Sequence, residues 1–211
     1  MKKINYQKLL DGIIERHAKN GEIPSLLLHA CCAPCSSYCL EYLSKFFKIT
    51  VFYYNPNISK NEEYYHRLSE EKRLISEMNF INQVEITDSD YEPREFFDFV
   101  KGLENEPEGG KRCEKCFKLR LEAAAKKAAE LGSDYFTTTL TISPLKNAAL
   151  LNSIGEEAAL KYGVNWLPSD FKKREGYKRS IQLSAKYGLY RQNYCGCIFS
   201  RSSTADTQDN N

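Results

Sequence analysis

The sequence predicts an α/β protein built on a doubly wound, mostly parallel sheet of five strands. Short apolar and β-branched runs alternate regularly with helical stretches of roughly ten to twenty residues. Such an alternation requires right-handed crossovers, which return each strand parallel to the one before it. Gly, Pro and Asn cluster between the runs, and no segment repeats, so a solenoid is excluded.

Each element has its own local signal. The first strand is an uninterrupted leucine run, too short for a helix, and the second is β-branched and aromatic until Asn55 stops it. The predicted strands are 26–28, 48–54, 83–86, 135–140 and 164–167. The predicted helices are 5–19, 35–43, 61–78, 93–100, 113–131, 147–162 and 174–187. If the first and fourth strands are central neighbours, the turns at Cys31 and Thr141 face each other where such sheets bind ligands.

The chain of 211 residues is long enough for one well-buried domain. We expect this domain to span 1–201, with a helical and irregular cysteine-bearing C-terminal segment, and a polar, frayed tail to span 202–211. No apolar run approaches the roughly 20 residues that cross a bilayer, and no apolar signal core follows the charged N-terminus. A cytoplasmic location without a membrane partner is therefore predicted. In that reducing compartment, cysteines are metal ligands or redox catalysts rather than a disulfide framework.

Half of the eight cysteines follow the first strand. They are Cys31, Cys32, Cys35 and Cys39. Thiols at a strand-to-helix junction lie beside the positive end of a helix dipole, which favours the thiolate form. The adjacent pair points apart in an extended chain, so both thiols serve one metal only if the turn folds them together. Cys39, one turn beyond Cys35, and His29 in the first strand are expected to be buried core residues.

Two more cysteine pairs lie far along the chain. Cys113 and Cys116 form a C-x-x-C at the start of a helix, and Cys195 and Cys197 form a C-x-C in which Gly196 permits a tight backbone. The pairs meet the first turn only through the fold. Four thiolates suit tetrahedral zinc or an iron–sulfur cluster.

Three kinds of protein are compatible with these thiols. Structural zinc, in a zinc-stabilised RNA-binding module, is the simplest, although a zinc ribbon closes within a small module and these cysteines end elements of a large sheet. Cys32-Ala-Pro-Cys35 also has the placement of a thioredoxin-like redox motif. A cluster with a functional neighbour is the third and favoured hypothesis. No Gly-rich phosphate loop is present, so ATP-dependent chemistry is not expected.

The net charge is only +2, but basic residues are concentrated in two places. One group, between 111 and 120, surrounds the C-x-x-C. The other, between 172 and 179, is followed by tyrosines between 187 and 194. A basic and aromatic surface suits a nucleic acid, and a solvated helix face is the alternative.

Five motifs give the chain a family resemblance from residue 25 to residue 200. They are Leu-Leu-His-Ala-Cys-Cys-Ala-Pro-Cys, Phe-Tyr-Tyr-Asn-Pro-Asn-Ile, Arg-Cys-Glu-Lys-Cys-Phe, Thr-Thr-Thr-Leu-Thr-Ile-Ser-Pro and Gly-Leu-Tyr-Arg-Gln-Asn-Tyr-Cys-Gly-Cys-Ile-Phe-Ser. In this order they resemble the QueH-type epoxyqueuosine reductases. The resemblance implies an oxidoreductase that reduces the epoxide of epoxyqueuosine in the tRNA anticodon to queuosine, the last step of queuosine biosynthesis. It also implies a Rossmann-like, HUP-type fold.

The resemblance implies a [4Fe-4S] cluster, an additional iron ion and an electron donor that the sequence does not identify. The cluster ligands it implies are Cys31, Cys32, Cys113 and Cys116. Cys195 and Cys197 match a terminal pair that is either a redox-active disulfide or a ligand pair. Cys35 stands where some relatives carry Asp, a position for the additional iron.

The chemistry of the reaction assigns the remaining roles. Removing oxygen from an epoxide to leave an alkene consumes two electrons and two protons and releases water. A cluster that passes one electron at a time needs a second redox element, either a dithiol or a neighbouring metal that polarises the oxygen. The predicted catalytic residues are therefore Cys195, Cys197 and Cys35.

Overall fold

A computed structural model describes residues 4–200 and confirms the α/β prediction. The strands are β1 Ser25–Ala30, β2 Lys48–Tyr53, β3 Val84–Asp88, β4 Tyr135–Thr138 and β5 Asn165–Trp166. They form one parallel sheet in the order β3-β2-β1-β4-β5. The chain thus builds outward from β1 in one direction and then in the other, as in other doubly wound sheets.

Seven α-helices are found within residues 4–200. They are α1 Tyr6–Asn20, α2 Ala33–Leu43, α3 Asn61–Glu77, α4 Pro93–Phe99, α5 Lys111–Glu130, α6 Ala148–Tyr162 and α7 Gly176–Lys186. Every predicted helix is present, with ends shifted by a few residues. The helix α2 starts before Cys35 because Pro34 occupies its first turn, where a missing N–H costs nothing.

The predicted strand at 135–140 is shorter than expected. It ends at Thr138, whose hydroxyl accepts a hydrogen bond from the Leu140 amide at 3.2 Å and starts a 3-10 turn at Thr139–Ile142. This turn carries the chain across the carboxyl edge of the sheet towards α6. The last two residues of the predicted strand therefore belong to this turn, and Leu140 and Ile142 of the turn line a cavity.

The sheet is buried on both faces, as parallel sheets usually are. Successive β1 side chains alternate between two cores, with Leu26 and Leu28 facing one and Leu27 facing the other. The first core includes residues of α1, α2, α3 and α7, and the second includes α5 and α6. With both faces covered, the carboxyl edge is where the sheet itself remains open to a ligand.

The expected neighbours β1 and β4 pair directly, from Leu26 opposite Tyr135 to His29 opposite Thr138. His29 is buried, as predicted, and its ring nitrogens contact the Thr138 hydroxyl at 2.9 Å and the Tyr54 carbonyl at 3.1 Å. Burial lowers the pKa of His29 to about 3, so the ring is neutral. The switch point between β1 and β4 is therefore held by a fixed hydrogen-bonded residue.

The tail predicted at 202–211 lies outside the described residues. Within the part of the chain that the structure describes, no helix combines the length and the apolar character that a bilayer span requires.

Candidate metal and substrate site

The turn after β1 brings three thiols together. The sulfur atoms of Cys31, Cys32 and Cys35 lie within 4.8 Å of one another, and those of Cys31 and Cys32 are 3.7 Å apart. Cys32 is the extended residue before α2, with φ −174° and ψ 153°, and the helix that follows places Cys35 on its first turn. The turn thus folds the adjacent pair onto one side, and all three sulfurs can face one metal centre.

The three thiols share their protons unequally. Hydrogen bonds from Cys32 and Cys35 hold the pKa of Cys31 well below its usual range, against the effect of burial. The same hydrogen bond to Cys31 raises the pKa of Cys32 to about 12, and the pKa of Cys35 is raised as well. One thiolate supported by two thiols is the result, and a metal that takes all three sulfurs must displace the other protons.

The remaining predicted cysteines surround an adjoining space. Two cavities, of about 250 Å³ and about 130 Å³, share a wall that includes Cys195, Lys146 and Leu145. The larger cavity is lined by the three thiols of the first turn. The smaller one is lined by the other three of the seven predicted site cysteines, which are Cys113, Cys116 and Cys197. All seven therefore face this edge of the sheet, while their division between metals stays a prediction.

Four cationic side chains line the larger cavity with the thiols, namely Arg67, Arg120, Lys146 and Arg191. The sequence placed Arg120 in the basic group around the C-x-x-C and did not assign Arg67 or Lys146 to the site. Arg120 is 1% exposed, lines the larger cavity, and donates from Nη2 to Asn55 Oδ1 at 2.6 Å. Lys146 lines both cavities. Arg120 lies four residues after Cys116 on α5, a spacing that puts both on one helix face and could have marked it. Lys146 carries no such signal.

The cysteine-bearing C-terminal segment is fastened to α3 and to the loop before it. Arg67 donates to the carbonyl of Cys195 at 3.3 Å and to that of Tyr194 at 3.4 Å, and the Ser59 amide donates to the Gly196 carbonyl at 3.0 Å. Gly196 has φ 102°, and a Cβ there would lie 2.9 Å from the Ile58 side chain. Only glycine fits this backbone without strain.

Residues 26–203 match the protein family described as Epoxyqueuosine reductase QueH. The match spans most of the chain, including both cavities and the three segments that carry the site cysteines. The chain belongs to this family.

Relatives from distant bacteria support the assignment. A protein named Epoxyqueuosine reductase QueH from Streptococcus pyogenes serotype M1 is 46% identical over 199 residues, which cover 93% of this chain and 78% of the relative. The protein of that name from Staphylococcus epidermidis is also 46% identical, covering 93% and 84%. The one from Thermotoga maritima is 36% identical, covering 83% and 90%. The thioredoxin-like and zinc-module alternatives are not favoured by these relatives.

In this member of the QueH family, the basic stretch at 172–179 is largely neutralised within the protein. Arg174 pairs with Asp11 at 2.7 Å, and Arg179 pairs with Glu41 at 2.6 Å. Lys172 and Lys178 also have carboxylate partners, at 3.0 and 3.2 Å. The two arginine pairs fasten α7 and the preceding loop to α1 and α2, and the two lysine pairs form within the segment itself, so little net charge is left there for a nucleic acid.

The lysines at the start of α5 are differently placed. Lys111, Lys115 and Lys118 lie on one exposed helix face and line a shallow groove with Leu103 and Glu114. The helix also carries Cys113 and Cys116, which point the opposite way into the smaller cavity. In this QueH family chain, the larger exposed basic surface near the site is therefore on α5.

A buried carboxyl lies behind the thiol turn. Glu71 on α3 is fully buried, and the hydroxyl of Ser36 is the polar group that acts on it. Burial raises the pKa of Glu71 to about 8, so the group is neutral near pH 7. A neutral acid in this position adds no charge to the thiol site in front of it.

Glu71 is expected to make stability depend on pH. An unfolded glutamate titrates near about 4.3, so between about pH 4.3 and about pH 8 the folded chain keeps a proton that the unfolded chain has released. The free energy of unfolding should therefore fall across this window as pH rises, by about 5 kcal/mol in all, and level off above it. Glu71→Gln should remove most of that fall in urea denaturation at pH 5 and pH 8.

The matched control is Glu77→Gln, a change at an exposed carboxylate of the same helix. It should keep the pH dependence of the parent protein. Equal slopes for the Glu71→Gln and parent proteins would show that Glu71 is ionised in the folded state.

Proposed function

We propose that this chain is an epoxyqueuosine reductase that converts epoxyqueuosine in the tRNA anticodon to queuosine. The observation that carries the proposal is the meeting of seven cysteines around two adjoining cavities at the switch point. The names of the relatives supply the reaction. Reducing the epoxide to an alkene takes up two electrons and two protons and releases the oxygen as water.

The donor set fits iron–sulfur chemistry. Soft thiolates are the ligands of such clusters, and Arg120, a buried cation with an open donor, faces them and needs an anion nearby. Our proposed ligands of a [4Fe-4S] cluster are Cys31, Cys32, Cys113 and Cys116. When bound, the cluster supplies electrons singly, and an additional iron would polarise the epoxide oxygen as a Lewis acid.

The other three cysteines have a second proposed role. Cys35, Cys195 and Cys197 either hold the additional iron or, for the terminal pair, cycle as a redox-active disulfide. Arg67 holds the carbonyl of Cys195 and the Ser59 amide holds that of Gly196, and together they keep Cys195 at the shared wall. All eight cysteines are free thiols in the structure, which agrees with a protein of a reducing compartment.

The function is tested with anaerobically reconstituted protein and an anticodon stem-loop that carries epoxyqueuosine, with dithionite as reductant. Digestion and mass spectrometry should show queuosine in place of the epoxide, and only with the iron-loaded protein. Iron and sulfide should be found in the brown protein. A colourless zinc protein without turnover, or a metal-free protein that reduces disulfides, would overturn the proposal.

We further propose that the exposed lysines of α5 bind the phosphates of the RNA. The triple variant Lys111→Glu, Lys115→Glu and Lys118→Glu should weaken stem-loop binding by at least about tenfold at low salt and reduce the salt slope by about 2. Binding isotherms at several salt concentrations measure both effects.

A charge-matched control uses lysines at the opposite end of the sheet. Lys19, Lys45 and Lys48 are exposed near the amino ends of the strands. Changing these three to Glu alters the net charge equally and should weaken binding far less. Equal losses in the two triple variants would mean that overall charge, and not the α5 face, governs binding.

A further inference from the structure

Arg120 is a buried arginine whose bonding is incomplete. It donates from Nη2 to Asn55, but its Nε has no hydrogen-bond partner among the described residues. No ion pair with a carboxylate is found for it in the described part of the chain. Two other buried arginines make more bonds: Arg67 pairs with Glu63 and donates to two carbonyls, and Arg112 donates to three from Nη1. Of these three, only Arg120 has a fully buried nitrogen without a hydrogen-bond partner among the described residues.

The surroundings of Arg120 are thiols. The charges of Cys116, Cys31 and Cys195 act on its guanidinium and outweigh the burial that would lower its pKa. These three cysteines come from α5, from the turn after β1 and from the C-terminal segment. Arg120 therefore stands where the three cysteine-bearing parts of the chain meet, at the wall of the larger cavity.

A buried cation without a counter-charge is strongly destabilising, and an unmade hydrogen bond adds to that cost. Among the described residues, the charges that act on Arg120 are those of Cys116, Cys31 and Cys195, and Cys116 is also hydrogen-bonded to it. The carboxylate that lines the same cavity belongs to Glu108, which is exposed. Sulfur atoms that carry the charge of a metal–thiolate group would complete the bonding of the guanidinium. A phosphate of the RNA substrate is the other anion that could bind Arg120. However, the unpaired Nε is fully buried, whereas proteins contact the nucleic-acid backbone at their surface.

We propose that Arg120 donates hydrogen bonds to sulfur atoms of the metal–thiolate group held by these cysteines and thereby raises its reduction potential. Adding an electron makes such a group more negative, so a fixed cation and N–H donors favour the reduced form. Arg120 is a positioning and tuning residue that does not touch the epoxide. The proposal rests on the proposed function, because it requires a redox metal at this site.

The test compares midpoint potentials of fully loaded proteins. Arg120→Gln removes the charge and shortens the donor, and Arg120→Lys keeps the charge but loses the planar fork. Both should show a more negative midpoint potential in anaerobic redox titrations followed by electron paramagnetic resonance, with the larger shift for Arg120→Gln. Iron and sulfide per chain are measured on the same samples. The Michaelis constant for the stem-loop should stay within about twofold of the parent value.

Arg179→Gln is the control, because it removes an exposed arginine that pairs with Glu41 away from the cavities. Its midpoint potential should equal that of the parent. If Arg120→Gln loses its metal, the loaded Arg120→Lys protein decides, and an unshifted midpoint there would overturn the inference. A Michaelis constant that rises while the potential is unchanged would assign Arg120 to substrate binding instead. If the parent protein assembles no cluster, the proposed function itself is wrong. That outcome is distinct from an unshifted midpoint potential, which overturns only the role of Arg120.

Discussion

Replacing Cys31 or Cys32 with alanine is expected to abolish both iron retention and epoxide reduction. The two sulfurs are 3.7 Å apart and lie within 4.8 Å of the Cys35 sulfur, so removing one leaves two thiols where three converge. Mutating a residue that only hydrogen-bonds to a metal ligand lowers metal affinity about 10- to 100-fold, and removing a ligand itself should lower it further. We expect activity to fall more than about 100-fold, with iron per chain falling in parallel.

Cys39, on the helix α2 that follows this pair, provides a matched control. It is fully buried among the apolar residues of the first core, as the sequence analysis expected. Cys39→Ala should keep its iron and its activity and lose only about 1 kcal/mol of stability, since it removes one small buried group. Iron and sulfide assays after anaerobic reconstitution, together with single-turnover reduction of the stem-loop, distinguish the variants. Equal iron content in Cys32→Ala and Cys39→Ala would show that the turn after β1 is not part of the metal site.

The fold could be predicted because its signals are local and repeated. The leucine run of β1, the β-branched β2 and the alanine-rich α5 each specify their own element, and regular alternation restricts the sheet to a few doubly wound topologies. The pairing of β1 with β4 was a hypothesis about strand order, and it is confirmed. The early end of β4 was not predicted, because it depends on one hydroxyl of Thr138 turning back to bond the Leu140 amide.

The sequence identified the seven thiols that line the two cavities, and their roles as metal ligands remain predictions. The sequence also placed basic residues around the C-x-x-C, but which of them face the thiols became visible only in three dimensions. Arg174 and Arg179 appeared free for RNA because their partners, Asp11 and Glu41, lie 163 and 138 positions away. The unpaired Nε of Arg120 was likewise not predictable, because it depends on which residues of the folded chain lie around it. A sequence pattern shows which side chains are charged, but it does not show whether residues far along the chain neutralise those charges in the fold.

Lys146→Met is expected to slow the chemical step strongly and leave binding almost intact. Lys146 lines both cavities beside the thiols. Burial lowers its pKa, but the charges of Cys195, Cys31 and Cys35 outweigh burial and raise it overall, so the ammonium stays protonated at neutral pH. A protonated amine there can donate to the oxygen that leaves the epoxide. Losing such an acid costs roughly 10²- to 10⁴-fold in kcat, and the Michaelis constant should change little.

Two further variants separate proton donation from charge. Lys146→Arg keeps a cation that does not release its proton, so it should bind iron and RNA normally and remain far slower than the parent. Lys173→Met removes an exposed lysine that lines neither cavity and should behave as the parent. Because the raised pKa keeps the amine charged, the parent kcat should fall only as pH rises beyond the ordinary lysine range, which is about 10.4. Parent-like turnover by Lys146→Met with full iron content would show that the proton comes from another group.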